Sequence, residues 1–241
     1  MIENEDIQLW EESASAWISH LTSRGDQSRR FLDPRVHAAL GDVTGKKILD
    51  IGCGEGRFSR QLAERGAEAT GLEPAPKLLA KAQELGGGPT FIHGNAETLP
   101  FPDNTFDFAI FYLVLIDIEP FEPAVEEAFR VLKPGGKCLI VNCTGMNTAT
   151  NRMWERNEQG ERTAWIVEHY GSRQRVIAEW NGIRVNNYHR PLSTYFTHHL
   201  DAGFNLKFFQ EQLPTPEELE TNPELEIHLI CPYFNIQVWE K

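Results

Sequence analysis

Apolar positions in the first 142 residues alternate between short continuous runs and helical spacing. The runs predict five strands, at residues 46–52, 68–72, 89–94, 106–115 and 137–142. Between them, apolar side chains recur every three or four residues, which predicts helices at 56–65, 75–85 and about 121–132. The run at 106–115 is almost continuously apolar, as in a strand that is buried on both faces. Strands and helices that alternate in this way predict an α/β fold with a doubly wound sheet and helices on both faces.

The segments on either side of this alternating region differ in pattern. Residues 7–21 place apolar side chains on one face of an amphipathic helix, and a polar link over 22–30 follows. Residues 145–190 are rich in arginine, asparagine and tryptophan and show no clear period. They are therefore interpreted as an insertion in the fold rather than as part of the sheet.

The last fifty residues regain regular spacing. Residues 191–202 predict a helix that ends at Gly203, and 204–210 and 233–239 predict two more strands. The acidic, proline-containing stretch 211–224 is predicted to be a loop. The sequence thus predicts a seven-stranded, Rossmann-like sheet, mostly parallel with an antiparallel last strand.

Composition narrows the functional classes. The chain has 241 residues, which suits one large domain, and 35 acidic against 23 basic residues give a formal charge of −12. Such a chain repels phosphate backbones, so nucleic acid is not an expected partner. Four cysteines without metal-type spacing predict neither a disulfide scaffold nor a metal site. The longest apolar run is about half of a membrane span, and the acidic N-terminus lacks a signal core, so a cytoplasmic protein without membrane contact is expected.

A glycine-rich turn joins the first strand to the first helix of the sheet. Gly52, Gly54 and Gly56 lie in ILDIGCGEG (48–56) and allow a ligand to approach the backbone at a helix N-terminus. The third glycine of the dinucleotide fingerprint would fall on Arg57. A tight turn without a ligand explains this motif alone equally simply.

Two polar side chains follow the next strands. Glu73 ends the second strand about 20 residues after the glycine loop, where a carboxylate can accept both ribose hydroxyls. Asn95 follows the third strand, and its amide can bond to an adenine edge. Taken alone, Glu73 is also compatible with an exposed acid in a turn.

Four segments in order resemble the class I S-adenosylmethionine-dependent methyltransferases, in particular the small-molecule branch of the methyltransferase type 11 kind. The segments are ILDIGCGEG, GLEP, GNAETLPFPDNTFD and RVLKPGG. The resemblance covers residues 46–142 strongly and the two ends of the chain more loosely. It implies S-adenosyl-L-methionine as cofactor and S-adenosyl-L-homocysteine as product. It also implies one domain over 1–241, with a cap helix in 1–30, a cofactor-binding core at 46–142, a substrate lid at 145–190, and C-terminal helix and strands at 191–241.

The resemblance also implies which residues contact the cofactor. Asp50 and the glycine loop would hold the methionine part, Glu73 the ribose, and Asn95 with Ala96 the adenine. The complete set is Asp50, Gly52, Cys53, Gly54, Glu73, Pro74, Asn95, Ala96, Glu97, Phe111, Tyr112 and Leu113. Asn95 replaces the usual aspartate. Relatives often carry a histidine pair where this chain has Ile116 and Asp117, so a role of those histidines does not transfer.

Tryptophans and arginines outside the core suggest where an acceptor would bind. The candidate aromatic walls are Trp10, Trp17, Trp154, Trp165 and Trp180, although ordinary packing of a lid explains each of them singly. Residues 145–190 hold seven arginines and five glutamates, and Arg190 is a candidate ligand for an anionic small molecule. The alternative is that these arginines pair with the acidic remainder of the chain.

The implied reaction is an in-line displacement at a sulfonium methyl group, and it needs a base only when the acceptor must lose a proton. His169, Tyr170 and His189 are the base candidates in the lid region, with structural roles as the alternative. The predicted function is methyl transfer to a small molecule. The alternatives are a protein methyltransferase, a non-catalytic adenosyl-binding domain of the same fold and, remotely, an NAD-dependent oxidoreductase. The acceptor and the oligomeric state stay open.

Overall fold

A computed structural model describes residues 4–23, 27–150 and 154–241. Within these residues the strands are β1 (Lys47–Ile51), β2 (Glu68–Glu73), β3 (Thr90–His93), β4 (Phe106–Tyr112), β5 (Leu132–Cys143), β6 (Trp154–Arg156), β7 (Arg162–Trp165), β8 (Gln174–Trp180), β9 (Ile183–His189), β10 (Asn205–Glu211) and β11 (Phe234–Glu240). The α-helices are α1 (Glu5–Ser23), α2 (Gln27–Leu40), α3 (Arg57–Glu64), α4 (Pro76–Leu85), α5 (Glu122–Val131), α6 (Gly145–Thr148), α7 (Leu192–Asp201), α8 (Pro216–Thr221) and α9 (Ile227–Ile230). Single 3-10 turns cover Leu115–Asp117 and Pro223–Glu226.

The central sheet has seven strands in the order β3-β2-β1-β4-β5-β11-β10. The first five run parallel, and β11 is antiparallel to both of its neighbours. All seven predicted strands are present, so the predicted Rossmann-like sheet with an antiparallel last strand is confirmed. The carboxyl ends of the parallel strands lie at one edge of this sheet, which is where open α/β sheets bind ligands.

Both faces of the sheet are covered by helices. Alternate residues of β4 point to opposite sides, so Ala109 and Phe111 join a core cluster with α5 and α7, whereas Phe108 and Ile110 join a second cluster with α2 and α3. A third, smaller cluster packs α1 and α4 against β9 through Trp17, Leu78 and Val185 among others. The third cluster attaches the N-terminal helix to the lid.

Helix α2 corrects the prediction of a polar link over 22–30, because it begins at Gln27. Its buried side chains are Phe31, Leu32, Val36 and Leu40, which recur at helical spacing on one face. Pro34 and the arginines of this helix interrupt the apolar spacing, so the sequence alone does not indicate a helix here.

Helix α8 corrects the predicted loop at 211–224. Pro216 occupies the first turn, where its missing N–H leaves no hydrogen bond unmade. Thr215 and Glu218 form a reciprocal capping box, with the Glu218 N–H donating to Thr215 Oγ1 at 3.3 Å and the Thr215 N–H donating to Glu218 Oε2 at 2.8 Å. This TPEE signal was readable in the sequence, but the surrounding prolines suggested a loop.

The lid, residues 145–190, contains two antiparallel hairpins, β6–β7 and β8–β9. Asn181 and Gly182 both have positive φ angles, 48° and 82°, and link β8 to β9 as the tightest hairpin connections require. Helix α1 lies against β9, where the Ser13 hydroxyl donates to the Arg184 carbonyl at 2.9 Å and accepts from the Arg184 N–H at 3.0 Å. The N-terminal helix and the lid therefore meet over one edge of the sheet.

Candidate active site

The glycine loop after β1 is built for close backbone approach. Gly52 has φ +70°, and its N–H and that of Cys53 donate to the Leu72 carbonyl at 2.8 and 3.0 Å. A Cβ on Gly52 would lie 2.8 Å from Val114 Cγ2, so no side chain fits there. The loop is thereby held between the ends of β2 and β4.

Glu73, at the end of β2, is buried and faces this loop. Its Oε2 accepts from the Gly54 N–H at 2.8 Å and its Oε1 from the Ala75 N–H at 3.0 Å. Burial raises the pKa of Glu73 to about 7, although both of these hydrogen bonds favour the ionised form. Each carboxylate oxygen keeps a further lone pair, so the group can accept two hydroxyls.

Asp50, at the end of β1, is the second buried acid in this region. Burial raises its pKa to about 6, against a hydrogen bond that the Ser59 hydroxyl donates to Oδ2 at 2.6 Å. Burial also raises the pKa of the Cys53 thiol, which therefore stays protonated. A protonated thiol is a poor nucleophile, so Cys53 is better explained as a residue that contacts a ligand.

Glu73, Asp50 and the glycine loop line a cleft of about 1020 Å³, including space open to solvent, which we call the first cavity. All of the predicted cofactor contacts except Phe111 line it. Phe111 is fully buried in the core cluster under α5, because alternation along β4 turns it away from the side that Tyr112 faces. The prediction that Phe111 lies beside the cofactor is therefore wrong for this structure.

The first cavity also has charged residues to which the sequence assigned no ligand role. They are Asp6 on α1, Arg29 on α2, Glu55 in the glycine loop, Arg57 on α3 and Asp117 in the turn after β4. Sequence motifs do not place Asp6, Arg29 and Asp117 together, because α1, α2 and this turn meet only in the folded chain.

Arg57 replaces the third fingerprint glycine and forms an ion pair. It contacts both carboxylate oxygens of Asp33 on α2, at 2.5 and 3.1 Å, and the Tyr112 hydroxyl donates to Asp33 Oδ1 at 2.7 Å. Burial opposes ionisation of Asp33, but the hydrogen bond and charge of Arg57 outweigh it and hold the pKa of Asp33 below its usual value. Arg57 thus ties α3 to α2 beside the cavity.

We expect Asp33→Ala to lower the free energy of unfolding by about 1–3 kcal/mol, because it leaves the Arg57 guanidinium and the Tyr112 hydroxyl without this partner. Urea denaturation at pH 7 measures the change. The matched control is Asp201→Ala in α7, at an exposed aspartate, which should change stability by no more than about 0.5 kcal/mol. Equal stability losses in the two variants would contradict the structural role of the ion pair.

A second cavity adjoins the first beneath the lid and encloses about 1260 Å³, again including open solvent. All five candidate tryptophans line it, together with Tyr233 and Phe234. Trp154 and Trp165 face each other across β6–β7 with ring centroids 4.8 Å apart, and Trp10 and Trp17 meet edge to face at 5.8 Å. The lining shared by both cavities is Trp10, Trp17, Arg29, Leu113 and Asp117. The two cavities therefore meet at these residues.

The three base candidates lie outside both cavities. His189 is buried, and its Nε2 donates to the Tyr170 carbonyl at 2.9 Å while its Nδ1 pairs with the Thr148 hydroxyl at 2.7 Å. Burial lowers the pKa of His189. His169 and Tyr170 are exposed, and neither lines a cavity. The structure therefore places none of the three beside either cavity, and the two hydrogen bonds of His189 fix it within the lid.

Arg190 is corrected as a substrate ligand for a similar reason. Its buried guanidinium donates to the Leu115 carbonyl at 2.9 Å, to the Ile118 carbonyl and to the Tyr195 hydroxyl at 3.1 Å. It therefore fixes the turn after β4 from the lid side and lines neither cavity.

The remaining arginines of the lid behave mostly as the alternative interpretation holds. Arg173 pairs with Glu122 and Arg175 with Glu5, both outside the lid, whereas Arg184 pairs with Glu179 within the lid. Arg156 donates to the Gly160 carbonyl, and Arg152 lies outside the described residues. Arg162 stacks on Trp154 at 5.3 Å and is the described lid arginine that lines the second cavity.

Two kinds of feature are absent from the described part of the chain. Residues 4–23, 27–150 and 154–241 hold no group of three or more acidic, histidine or cysteine side chains suited to a metal ion. No helix in these ranges has the length and apolar character that crossing a bilayer requires.

A doubly wound sheet with a cleft beyond the carboxyl ends of its parallel strands defines the Rossmann-like class, and comparison with known proteins shows which members it resembles. A model of the methyltransferase domain matches residues 49–140. A crystal structure of an S-adenosylmethionine-dependent methyltransferase from Mesorhizobium loti superposes with a TM-score of 0.79 at 28% identity, over 86% of this chain and 96% of that one. Residues 49–140 thus match a methyltransferase domain, and the chain is similar in sequence and fold to S-adenosylmethionine-dependent methyltransferases.

Curated relatives align over part of their length. A malonyl-[acyl-carrier protein] O-methyltransferase from Pectobacterium atrosepticum is 28% identical over 58% of this chain and 56% of its own. A demethylmenaquinone methyltransferase from a Geobacillus species is 37% identical over 54% of this chain and 55% of its own. The chain thus spans about half the length of these two relatives.

Proposed function

We propose that the protein transfers a methyl group from S-adenosyl-L-methionine to a small-molecule acceptor. The observation that carries the proposal is the pair of adjoining cavities, which share Leu113 and Asp117 at the end of β4. One cavity offers the groups that an adenosyl ligand needs, and the other offers aromatic walls. Two substrates placed in such neighbouring sites react as one bound pair, which removes the entropic cost of their encounter.

The residues of the first cavity fit the cofactor. Glu73 can accept the two ribose hydroxyls, and Gly52 and Gly54 have no side chain that would keep a ligand from their backbone. Leu78 and Ala96 give an apolar surface for the adenine, beside the amide of Asn95. Asp50 lies nearest the loop and suits the ammonium end of the methionine part.

The cofactor, when bound, supplies a methyl group that its sulfonium charge already activates. The chain itself must align the acceptor, exclude water and accept any proton that the acceptor loses. Helix α1 and the lid hairpins would align the acceptor and exclude water, because Trp10 and Trp17 of α1 line both cavities and Trp180 of β8 lines the second.

The lining of the second cavity supports a planar, largely apolar acceptor. Five tryptophans with Tyr233 and Phe234 can stack on an aromatic ring. Demethylmenaquinone, named for one relative, is of this kind, and the carrier-linked malonyl group named for another is not. The hypothesis of an anionic acceptor now depends on Arg29 and Arg162, the two arginines that line this cavity.

Calorimetric titration with S-adenosyl-L-methionine, S-adenosyl-L-homocysteine and NAD tests the proposal, with Glu73→Ala beside the wild type. We expect micromolar binding of the two adenosyl ligands and none of NAD. Binding should weaken at least tenfold in the variant, about 1.4 kcal/mol, because the ribose loses its acceptor.

The matched control is Glu64→Ala, near the end of α3 and away from both cavities, which should bind as the wild type does. Absence of adenosyl binding in ligand-free, folded protein would contradict methyl transfer. Binding of the cofactor with transfer only to a basic peptide would favour a protein methyltransferase instead.

A further inference from the structure

Asp117 lies where the two cavities meet. It ends the 3-10 turn Leu115–Asp117 that directly follows β4, and it lines both cavities. Leu113, just before this turn, has a φ angle of +58°, which turns the chain across the mouth of the sheet. A side chain at this junction faces any group that is shared between the two ligands.

The lid holds Asp117 in place from two sides. Asn187 of β9 donates through Nδ2 to Asp117 Oδ1 at 2.6 Å. Arg190, three residues further along, donates to the carbonyls of Leu115 and Ile118, which flank Asp117. Because its carboxyl group and its backbone are both fixed, Asp117 can present its carboxylate in a constant direction.

The groups that influence the pKa of Asp117 lie on two helices, α1 and α2, and on strand β9. Burial dominates and raises its pKa well above the usual value, and Asp6 on α1 acts in the same direction. Hydrogen bonds from Asn187 on β9 and Trp10 on α1, together with the positive charge of Arg29 on α2, act in the opposite direction. Asp117 therefore binds a proton more tightly than an exposed aspartate does.

We propose that Asp117 accepts a hydrogen bond from a hydroxyl group of an aromatic acceptor and takes its proton during methyl transfer. The inference rests on the proposed function. As the hydroxyl oxygen forms its new bond to the methyl carbon, the carbon–sulfur electron pair stays on sulfur and the O–H proton passes to the carboxylate. Solvent later removes that proton from Asp117.

Charge balance favours this assignment. Before transfer the junction holds a carboxylate and a sulfonium, and afterwards it holds a neutral carboxylic acid and a neutral thioether. In a site from which water is excluded, a step that removes two opposite charges avoids leaving either of them unpaired. The sulfonium also keeps Asp117 ionised until transfer, since an opposite charge favours the ionised form.

Proton release during cofactor binding tests the proposal without an acceptor. S-adenosyl-L-methionine and S-adenosyl-L-homocysteine are titrated calorimetrically at pH 6, 7 and 8 in buffers of different ionisation enthalpy. We expect the sulfonium ligand to release more protons than its neutral analogue in the wild type. This difference should fall at least twofold in Asp117→Asn and persist in the control Asp201→Asn.

A second variant and a probe keep the test decisive. Asn187→Leu removes the hydrogen bond that favours the ionised form of Asp117. The difference in proton release between the two ligands should therefore move to higher pH, which a merely structural role would not cause. With S-adenosyl-L-homocysteine bound, 2-naphthol should bind at least tenfold tighter than 2-methoxynaphthalene, and Asp117→Ala should lose this preference. Unchanged proton release in Asp117→Asn, or equal or absent binding of the two naphthalenes, would overturn the role of Asp117. Loss of all cofactor binding in the wild type would instead overturn the proposed function.

Discussion

Gly52→Ala is expected to lower the free energy of unfolding by about 2–5 kcal/mol and to weaken cofactor binding at least tenfold. The positive φ of +70° costs an alanine about 1–2 kcal/mol, and its Cβ would lie 2.8 Å from Val114 Cγ2, which adds a packing cost of about 1–3 kcal/mol. Urea denaturation and calorimetric titration with S-adenosyl-L-methionine measure the two effects. The loop must shift to relieve the contact, and the loop lines the first cavity.

Two further variants separate strain from contact. Gly41 has nearly the same φ, +68°, but a Cβ there meets no atom within 4 Å, so Gly41→Ala should show only the conformational cost and normal cofactor binding. Gly52→Ala combined with Val114→Ala removes the methyl groups in contact, and it should lose less stability than the sum of the single variants. Simple additivity would show that the contact with Val114 is not what excludes a side chain at Gly52.

Affinity for S-adenosyl-L-homocysteine, whose neutral thioether does not draw on Asp117, is expected to fall about tenfold for each pH unit below 7. Binding requires ionised Glu73, because its carboxylate accepts the ribose hydroxyls, and its pKa of about 7 means that it takes up a proton in this range. Below pH 6 the protonation of Asp50, whose pKa is about 6, should make the fall steeper. Calorimetry between pH 5.5 and 8.5 measures the change, with circular dichroism to confirm the fold.

The free energy of unfolding of the ligand-free protein is expected to change with pH in the opposite direction to the affinity. A carboxyl whose pKa is higher in the folded than in the unfolded chain stabilises the ligand-free fold at low pH, and this contribution is lost as pH rises from about 4.5 to 7. The ligand-free protein should therefore lose stability over the range in which it gains affinity. Glu73→Ala should flatten the pH profile of affinity for S-adenosyl-L-homocysteine above pH 6, and a profile as steep as that of the wild type would assign the titration to another group.

Much of the sheet and of the cofactor site could be predicted from the sequence, because both are encoded locally. Each strand of the sheet is a short apolar run, and each predicted contact from Asp50 to Glu97 lies within four residues of a strand end. Parallel strands bring such ends to one edge, so position along the chain is enough to place the residues together. The same rule fails for Phe111, since the side of the sheet that a residue faces depends on register.

The proposed acceptor site could be predicted only in part, because the second cavity forms from distant segments. The five tryptophans were visible, but Arg29 and Asp117 gain their meaning from contacts with α1, α2 and β9. Histidine chemistry suggested His189 as a base, whereas burial and two hydrogen bonds give it a structural role. The hairpin β8–β9 carries an Asn-Gly turn signal that was readable in advance.

The hydrogen bonds that Arg190 donates have a consequence for exchanging parts of this chain. Lid and sheet look like separable modules, since the lid leaves the fold after β5 and returns before α7. Yet Asn187 and Arg190 hold the turn that carries Asp117, more than sixty residues earlier in the chain. A chimera that receives a foreign lid alone would thus inherit an unsupported turn, and a functional graft has to carry residues 113–118 together with the lid.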